Sequence, residues 1–267
     1  MFLVRHGETQ ANLNRIYHGR FDSPLTERGV GQAQAIGRYL AASPVAGSLR
    51  IISSPQPRAH RTAEIIRDCL DDRNPAPITL DERLCEVSIG SWEGRGHKEI
   101  AALAPGTFDG DGRHVWCFCA PDGETYDEFS ARAGEWLRET GDDPSLIVVT
   151  HGIVGRVLRG LYASLPRLTA LSLPVPQNQI FHLSRGAVEE IIIEGAPTIV
   201  RLTKVMPMPD YHVLIEFDDG VAGMLDLRDK LPDSIPQDEV TFQQVTIDDF
   251  GAISWPVGSG LRPKPYE

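Results

Sequence analysis

The stretches Phe2-Leu-Val-Arg-His-Gly7 and Ile147-Val-Val-Thr-His-Gly152 follow one pattern, in which a short apolar run leads to a histidine followed by glycine. Runs of this length, rich in branched side chains and closed by a turn residue, predict buried strands. Ligands of open α/β sheets bind beyond the carboxyl ends of the strands. We therefore expect His6 and His151 to lie together at one site, where each following glycine lets the chain turn and exposes backbone amides.

Two further apolar runs, Leu49 to Ile52 and Ile180 to Leu183, also predict strands. Helical patterns lie between the predicted strands. One begins after Thr26, and another places small and apolar residues on one face of Pro57 to Leu70. Strands that alternate with helices indicate an α/β fold with a mostly parallel sheet covered on both faces.

The composition is that of an ordinary globular protein of 267 residues, long enough for one or two domains. A net charge of −11 disfavours proteins that bind nucleic acid or anionic membranes, although a local cationic pocket for a small phosphorylated metabolite is compatible with it. No apolar run reaches the length of a membrane span, and the start of the sequence lacks a signal-peptide pattern, so we expect a cytoplasmic protein. The four cysteines lack the spacing of metal ligands, and the sequence predicts no metal and no cofactor.

The pattern changes near Ala196-Pro197, where alternating strands and helices give way to short β-like runs with Pro and Asp-Asp-Gly. We predict a first domain over 1–196 and a small α+β domain over 198–267. The second segment carries −6 of the chain's −11 charges. It shows no catalytic set of side chains, so a protein partner or self-association is its expected role. Its aromatic residues have strand-like spacing typical of a core: Tyr211, Phe217, Phe242, Phe250 and Trp255.

Five side chains near the predicted strand ends have the composition of a phosphoryl site: Arg5, His6, Asn12, Arg58 and His151. Phosphoryl transfer depends mainly on positioning and on donors around the phosphate oxygens. Arginine suits this task because its planar fork binds phosphate through two hydrogen bonds and stays protonated. A neutral histidine can act as the nucleophile.

Six motifs, in this order, resemble the histidine phosphatase superfamily, also called the phosphoglycerate mutase-like family. They are LVRHGETQAN at 3–12, GRFDSPLTERG at 19–29, SSPQPRAHRTAE at 53–64, LCEVSIGSWEG at 84–94, PDGETYDEF at 121–129 and VVTHG at 148–152. The resemblance covers about residues 1–195 and implies a three-layer α/β/α fold. A second resemblance, over 198–267, is to a small bacterial domain family of unknown function and implies no activity.

The first resemblance implies a histidine acid phosphatase-type phosphoric monoester hydrolase that needs no metal. His6 is similar to the nucleophile that becomes phosphohistidine, and Glu86 to the general acid and base; His151 completes the implied catalytic set. The implied phosphate ligands are Arg5, His6, Asn12, Arg58, His151 and Gly152. Only 64 residues separate Glu86 from His151. Mutases of the family usually carry a longer insertion here, so the length favours the phosphatase branch.

Two other functions stay open at this stage: a phosphoglycerate-type mutase, and a non-catalytic phosphate-binding scaffold that acts through its acidic C-terminal domain. Two local features are also open. His18, where related sequences often have glutamine, is either a donor near the phosphate or an exposed loop residue, and we expect the second. The segment from His114 to Cys119 is either an apolar wall for the leaving group or plain packing.

Overall fold

A computed structural model describes residues 1–43, 49–70, 78–197, 202–217, 221–228, 239–247, 253–255 and 258–261. Contacts divide the chain into unit 1, residues 1–198, and unit 2, residues 199–267. Each unit is described by itself. The proposed domain limits at 196 and 198 stay a prediction.

The helices of unit 1 are α1 (Gln10–Leu13), α2 (Glu27–Ala41), α3 (Pro57–Cys69), α4 (His97–Leu103), α5 (Gly112–Val115), α6 (Tyr126–Thr140), α7 (Gly152–Tyr162) and α8 (Arg167–Ser172). Its strands are β1 (Phe2–Arg5), β2 (Arg50–Ser53), β3 (Thr79–Leu80), β4 (Leu146–Thr150), β5 (Gln179–Ser184) and β6 (Ala187–Ile192). Short 3₁₀ turns cover Glu82–Leu84, Gly90–Trp92 and Trp116–Phe118. The four predicted strands and both predicted helices are confirmed to within one or two residues at their ends.

The sheet of unit 1 has the strand order β3-β2-β4-β1-β5-β6. Strands β3, β2, β4 and β1 are parallel, whereas β5 and β6 are antiparallel to their neighbours. In the central pair Arg5 lies opposite Thr150. The mostly parallel sheet is therefore confirmed, and the two predicted histidine turns leave neighbouring strands at the same edge.

Each face of the sheet has its own core, because successive side chains of a strand point to opposite faces. Leu3 and Val148 belong to one buried cluster, which α6 and α7 cover. Val4 and Val149 belong to the other, which α2 and α3 cover. The continuous apolar run of β4 follows from this double burial, since all five of its residues are buried. The result is the three-layer α/β/α architecture.

Unit 2 contains a three-stranded antiparallel sheet of β7 (Leu202–Met208), β8 (His212–Phe217) and β9 (Ala222–Asp226). A second sheet has β10 (Thr246–Ile247), β11 (Ile253–Trp255) and β12 (Gly258–Leu261), and a short helix α9 spans Glu239–Phe242. Phe242 and Trp255 are buried in the core of unit 2, and Tyr211 and Phe217 pack against that core, as the spacing of these aromatic residues predicts. Phe250 lies outside the described residues. Across the described parts of both units, we find no helix with the length and apolar character that crossing a membrane requires.

Candidate active site

The two predicted histidines meet at the carboxyl edge of the central strands. His6 follows β1 and His151 follows β4, and their ring centroids are 5.2 Å apart. The backbone amide of His6 donates to the Thr150 carbonyl at 2.9 Å, which continues the strand pairing up to the turn. Both rings are almost fully buried, with relative exposures of 3% and 1%. The convergence that the repeated pattern predicts is therefore present.

The protonation state of His6 follows from its hydrogen bond. Its Nδ1 lies 2.7 Å from the carbonyl oxygen of Gly7. A carbonyl can only accept, so Nδ1 carries the hydrogen and Nε2 of the neutral ring keeps a lone pair. Burial, reinforced by the charges of Arg58 and Arg5, lowers the pKa of His6 well below its ordinary value. His6 is therefore a neutral imidazole with a free Nε2 at physiological pH.

Two guanidinium groups surround this imidazole. The Arg5 side chain donates from Nη1 to the Val175 carbonyl, and Arg58 donates to the carbonyls of Phe21 and Gly19, both at 2.9 Å. Burial lowers the pKa of Arg5 to about 10 and also lowers that of Arg58, and both remain cations at neutral pH. The arginines thus bring two positive charges to the edge of the sheet.

Three buried nitrogen atoms near these rings make no hydrogen bond within the described parts of the chain: Nε of Arg5, Nε of Arg58 and Nδ1 of His151. The two guanidinium Nε–H groups are unpartnered buried donors, which are costly and therefore rare outside functional sites. Donors and positive charge together are what an anion with several oxygens requires. The site is thus chemically suited to a phosphoryl group.

His151 is held by a residue that sequence reasoning missed. Its Nε2 lies 2.8 Å from Oγ of Ser54, the residue that follows β2. Burial, with Arg58 as the next cause, lowers the pKa of His151 well below its ordinary value. Ser54 could have been found, because β2 is parallel to β4 and its carboxyl end reaches the same edge.

Asn12 contacts the site through a chain of polar side chains. Its Oδ1 accepts from the Thr9 amide at 3.2 Å and from Gln177 Nε2 at 3.1 Å. Thr9 caps helix α1, and its Oγ1 is 2.7 Å from Nε2 of His18. The same Gln177 amide donates to the His6 carbonyl at 3.1 Å. Asn12 is therefore positioned beside the turn at His6 and Gly7.

His18 is buried, and the expectation of an exposed loop residue is wrong. Its relative exposure is 8%, and its ring centroid is 6.0 Å from that of His6. Burial lowers its pKa to about 3, with the charges of Arg58 and Arg5 acting in the same direction. The loop turns inward because His18 bonds the cap of α1, a contact that the local sequence does not encode.

Glu86 lies at the first turn of α7. Its Oε2 accepts from the Ile153 amide at 3.1 Å, and its Oε1 accepts from the amides of Val154 at 3.3 Å and Val87 at 3.1 Å. A helix N-terminus favours negative charge because its first amides are free to donate. Helix α7 begins directly after His151, so the carboxylate is brought to the side of the two histidines. Gly152 is the first residue of that helix.

Residues 173–177 form a segment that contacts His6 and three arginines at or near the site. Three successive carbonyls accept from arginines: Leu173 from Arg156 at 2.6 Å, Pro174 from Arg159 at 2.5 Å, and Val175 from Arg5. Gln177 then reaches His6, as described above. Sequence reasoning missed Gln177, because only the antiparallel direction of β5 brings its starting end to the edge where β1 finishes.

A close backbone contact holds the turn at His6–Glu8 against α2. A Cβ atom placed on Gly29 would lie 2.1 Å from the Glu8 carbonyl oxygen, and one on Gly7 would lie 2.3 Å from the Gly29 carbonyl oxygen. Glu8 itself is buried and forms an ion pair with Arg28. Both glycines are therefore required by close approach.

The aromatic segment at 114–119 packs on unit 1. Cys117 is buried, with a relative exposure of 1%, and Trp116 lies against Tyr17 at a centroid distance of 4.1 Å. This supports the packing interpretation, and a leaving-group wall stays a prediction.

Among the described residues we find no group of three or more His, Cys, Asp or Glu side chains placed to hold a metal ion.

Comparisons with known proteins agree with this geometry. The family model for the histidine phosphatase superfamily (branch 1) matches residues 1–191. The chain is 29% identical to adenosylcobalamin/alpha-ribazole phosphatase of Salmonella typhimurium, covering 74% of this chain and 93% of that protein. It is 34% identical to the probable phosphoglycerate mutase GpmB of Citrobacter koseri, covering 62% and 75%. Among solved structures, Bacillus stearothermophilus YhfR superposes with a TM-score of 0.59 at 31% identity, covering 74% of this chain and 96% of that one. The match ends before unit 2, so the resemblance predicted for residues 198–267 stays a prediction.

Proposed function

This chain belongs to the histidine phosphatase superfamily (branch 1), and we propose that it is a metal-independent phosphomonoesterase of the histidine acid phosphatase type that works through phosphohistidine at His6. The observation that carries the proposal is the free Nε2 of a neutral, buried His6 beside two arginines. The substrate is a small phosphorylated metabolite, and the expected location is the cytoplasm.

In the first step the lone pair of His6 Nε2 attacks phosphorus, and the bond from phosphorus to the ester oxygen breaks. Glu86 takes a proton from the phosphomonoester monoanion as this binds and, as the acid, gives that proton to the departing oxygen. In the second step water attacks phosphorus, Glu86 as the base accepts a proton from it, and the electron pair of the P–N bond returns to Nε2. Inorganic phosphate leaves, and both side chains are back in their starting forms.

The charges of the chain itself supply the stabilisation. The guanidinium groups of Arg5 and Arg58 face the equatorial oxygens, and the neutral His151 donates to them from Nδ1 in the tautomer whose Nε2 accepts from Ser54 Oγ. Asn12 and the start of α7 at Gly152 complete the phosphate ligands. Donors fixed in place before the reaction stabilise charge that develops in the transition state. No step in this scheme requires a metal ion.

The direct test is phosphate release from a panel of phosphomonoesters in EDTA, with wild type compared with His6→Ala. We expect release that resists EDTA, and a loss of at least 10³-fold in the variant, because removal of a nucleophile leaves little covalent catalysis. His182→Ala is a matched control, since that histidine lies on β5 and stacks on Phe2. Activity of His6→Ala above a few per cent would refute the nucleophile assignment.

The second candidate function is a mutase, which returns the phosphoryl group to a substrate, because one relative is named as a mutase. It is separated by ³²P-labelled substrate in the presence of unlabelled acceptor: a phosphatase releases label as inorganic phosphate, whereas a mutase transfers it to the acceptor. Binding of ester with neither outcome would favour a non-catalytic scaffold acting through unit 2.

The role of Glu86 is tested by leaving groups. Glu86→Gln is expected to slow hydrolysis of an alkyl phosphate about 10²-fold or more and of 4-nitrophenyl phosphate much less, because a stable leaving group needs little help from an acid. The two esters are compared by the rate of the first step, which is measured by rapid quench. Equal losses for both esters would mean that the carboxylate is structural.

A further inference from the structure

Gln56 is a buried residue at the start of α3 whose side chain contacts two other segments of unit 1. It is the N-cap residue of that helix and precedes Pro57, and within the described residues its carboxamide makes no capping hydrogen bond to the first turn. Its relative exposure is 8%. Because a buried polar group without a partner is costly, the carboxamide has to be paired elsewhere.

The two partners of the Gln56 carboxamide lie far from it in the sequence. Its Oε1 accepts from the main-chain amide of Glu86 at 2.6 Å, and its Nε2 donates to the Gly19 carbonyl at 3.2 Å. An amide N–H can only donate and a carbonyl can only accept, so both contacts require the same orientation of the carboxamide. Gln56 therefore joins two segments that are 30 and 37 positions away from it in the chain.

Each of these two segments holds a group that the proposed reaction uses. The Gly19 carbonyl also accepts from Arg58 Nη2 at 2.9 Å, so the Gln56 carboxamide and the Arg58 guanidinium share one oxygen. On the other side, Glu86 contributes the carboxylate that the first amides of α7 bind. One side chain thus links the main chain of the general acid to the support of a phosphate ligand.

The main chain of Glu86 has contacts with two side chains. Its carbonyl accepts from Arg132 at 3.4 Å, whereas its amide donates to Gln56 at 2.6 Å. The contact with Gln56 is the shorter one. A general acid has to lie within hydrogen-bond distance of the oxygen that it protonates, and a small displacement of such a group lowers the rate strongly. The contact that fixes this main chain therefore matters for proton transfer.

We propose that Gln56 is a positioning residue, which fixes the Glu86 carboxyl group relative to the phosphate that Arg58 binds. This inference rests on the proposed phosphatase function. Without the carboxamide, the Glu86 amide loses its acceptor, whereas the Gly19 carbonyl keeps Arg58 as a donor. Loss of Gln56 therefore displaces the general acid and leaves the phosphate ligands in place, so that it slows the esters that depend on protonation of the leaving group.

The test uses phenyl phosphate and 4-nitrophenyl phosphate, two esters of similar shape whose leaving groups differ in stability. Gln56→Met keeps the length of the side chain and removes the amide. We expect kcat/KM of this variant to fall about tenfold or more for phenyl phosphate and about threefold or less for 4-nitrophenyl phosphate, because only the poorer leaving group needs the acid. Gln34→Met, at an exposed position of α2, should leave both values unchanged.

A milder variant keeps the test valid if Gln56→Met does not fold, which thermal unfolding shows. Gln56→Asn retains an amide on a side chain that is one methylene shorter, so it should reach one of the two partners at most. We expect an intermediate loss for phenyl phosphate and a smaller one for 4-nitrophenyl phosphate. Equal losses for the two esters in this variant would contradict the positioning role.

A double-mutant cycle with Glu86→Gln separates positioning from a merely structural role. If Gln56 acts through the Glu86 carboxyl group, Gln56→Met should cost about twofold or less in phenyl phosphate hydrolysis once Glu86 is already glutamine. The full loss in both backgrounds, or equal losses for the two esters in the single variant, would overturn the inference while the phosphatase function stands. Failure of wild type to hydrolyse either ester would instead refute the proposed function, and this inference with it.

Discussion

The burial of His18 predicts a specific dependence of stability on pH. Its folded pKa is about 3, whereas an unfolded histidine titrates near 6.5. Between these values the unfolded chain binds a proton that the folded chain does not, so the free energy of unfolding falls as the pH falls below about 6.5. At pH 5, about 1.5 units lower, the loss from His18 alone is about 2 kcal/mol.

The assay is urea unfolding of wild type and His18→Gln at pH 7.5 and pH 5. Glutamine keeps a polar side chain at this position and does not titrate. The change in unfolding free energy between the two pH values should be about 2 kcal/mol smaller in the variant. His6 and His151, whose pKa values are also lowered by burial, contribute to both proteins and cancel in this difference.

An equal decrease in the unfolding free energy of wild type and variant between the two pH values would contradict this prediction. It would mean that His18 takes up its proton equally in the folded and the unfolded chain. Direct titration of the His18 ring by NMR provides the second measurement. A midpoint above pH 5.5 in the folded protein would contradict burial as the dominant cause of the pKa shift.

Two further predictions concern the residues that support the turn after β1. Gly29→Ala should destabilise unit 1 by about 3 kcal/mol, since its Cβ would lie 2.1 Å from the Glu8 carbonyl oxygen. Gly155→Ala, whose Cβ would lie 4.0 Å from Leu3 Cδ2, should be neutral or stabilising in thermal unfolding. Equal melting temperatures for the two variants would contradict the close approach. Gln177→Leu should lower kcat more than it raises KM, because it removes the amide that donates to both the His6 carbonyl and Asn12 Oδ1. Gln177→Asn should recover part of kcat. A change confined to the melting temperature would show that the amide only supports the fold.

Much of the site was predictable from the sequence because its principal residues lie next to strand ends. The repeated strand, histidine and glycine pattern predicts that His6 and His151 converge, and strand β4 pairs with β1 as that requires. Glu86 was identified only by resemblance, since no local pattern shows that the first amides of α7 will hold it. The expectation that His18 is exposed is wrong although loop residues usually are exposed. Its partner, Thr9, caps a helix, and the side chain of such a residue could equally have faced solvent.

The strands, the helices between them and the candidate residues of a phosphoryl site could be predicted from the sequence, because periodicity, turn residues and charge are local properties. Other features appear only in the folded chain: which nitrogen of His6 carries the hydrogen, which carbonyls accept from Arg5 and Arg58, and the contact of Gln177 with the His6 carbonyl. These features depend on the direction of β5 and on the docking of α7, which join positions up to 171 residues apart. Hydrogen bonds and burial between such distant positions set the electrostatics of the site, and only the folded chain brings them together.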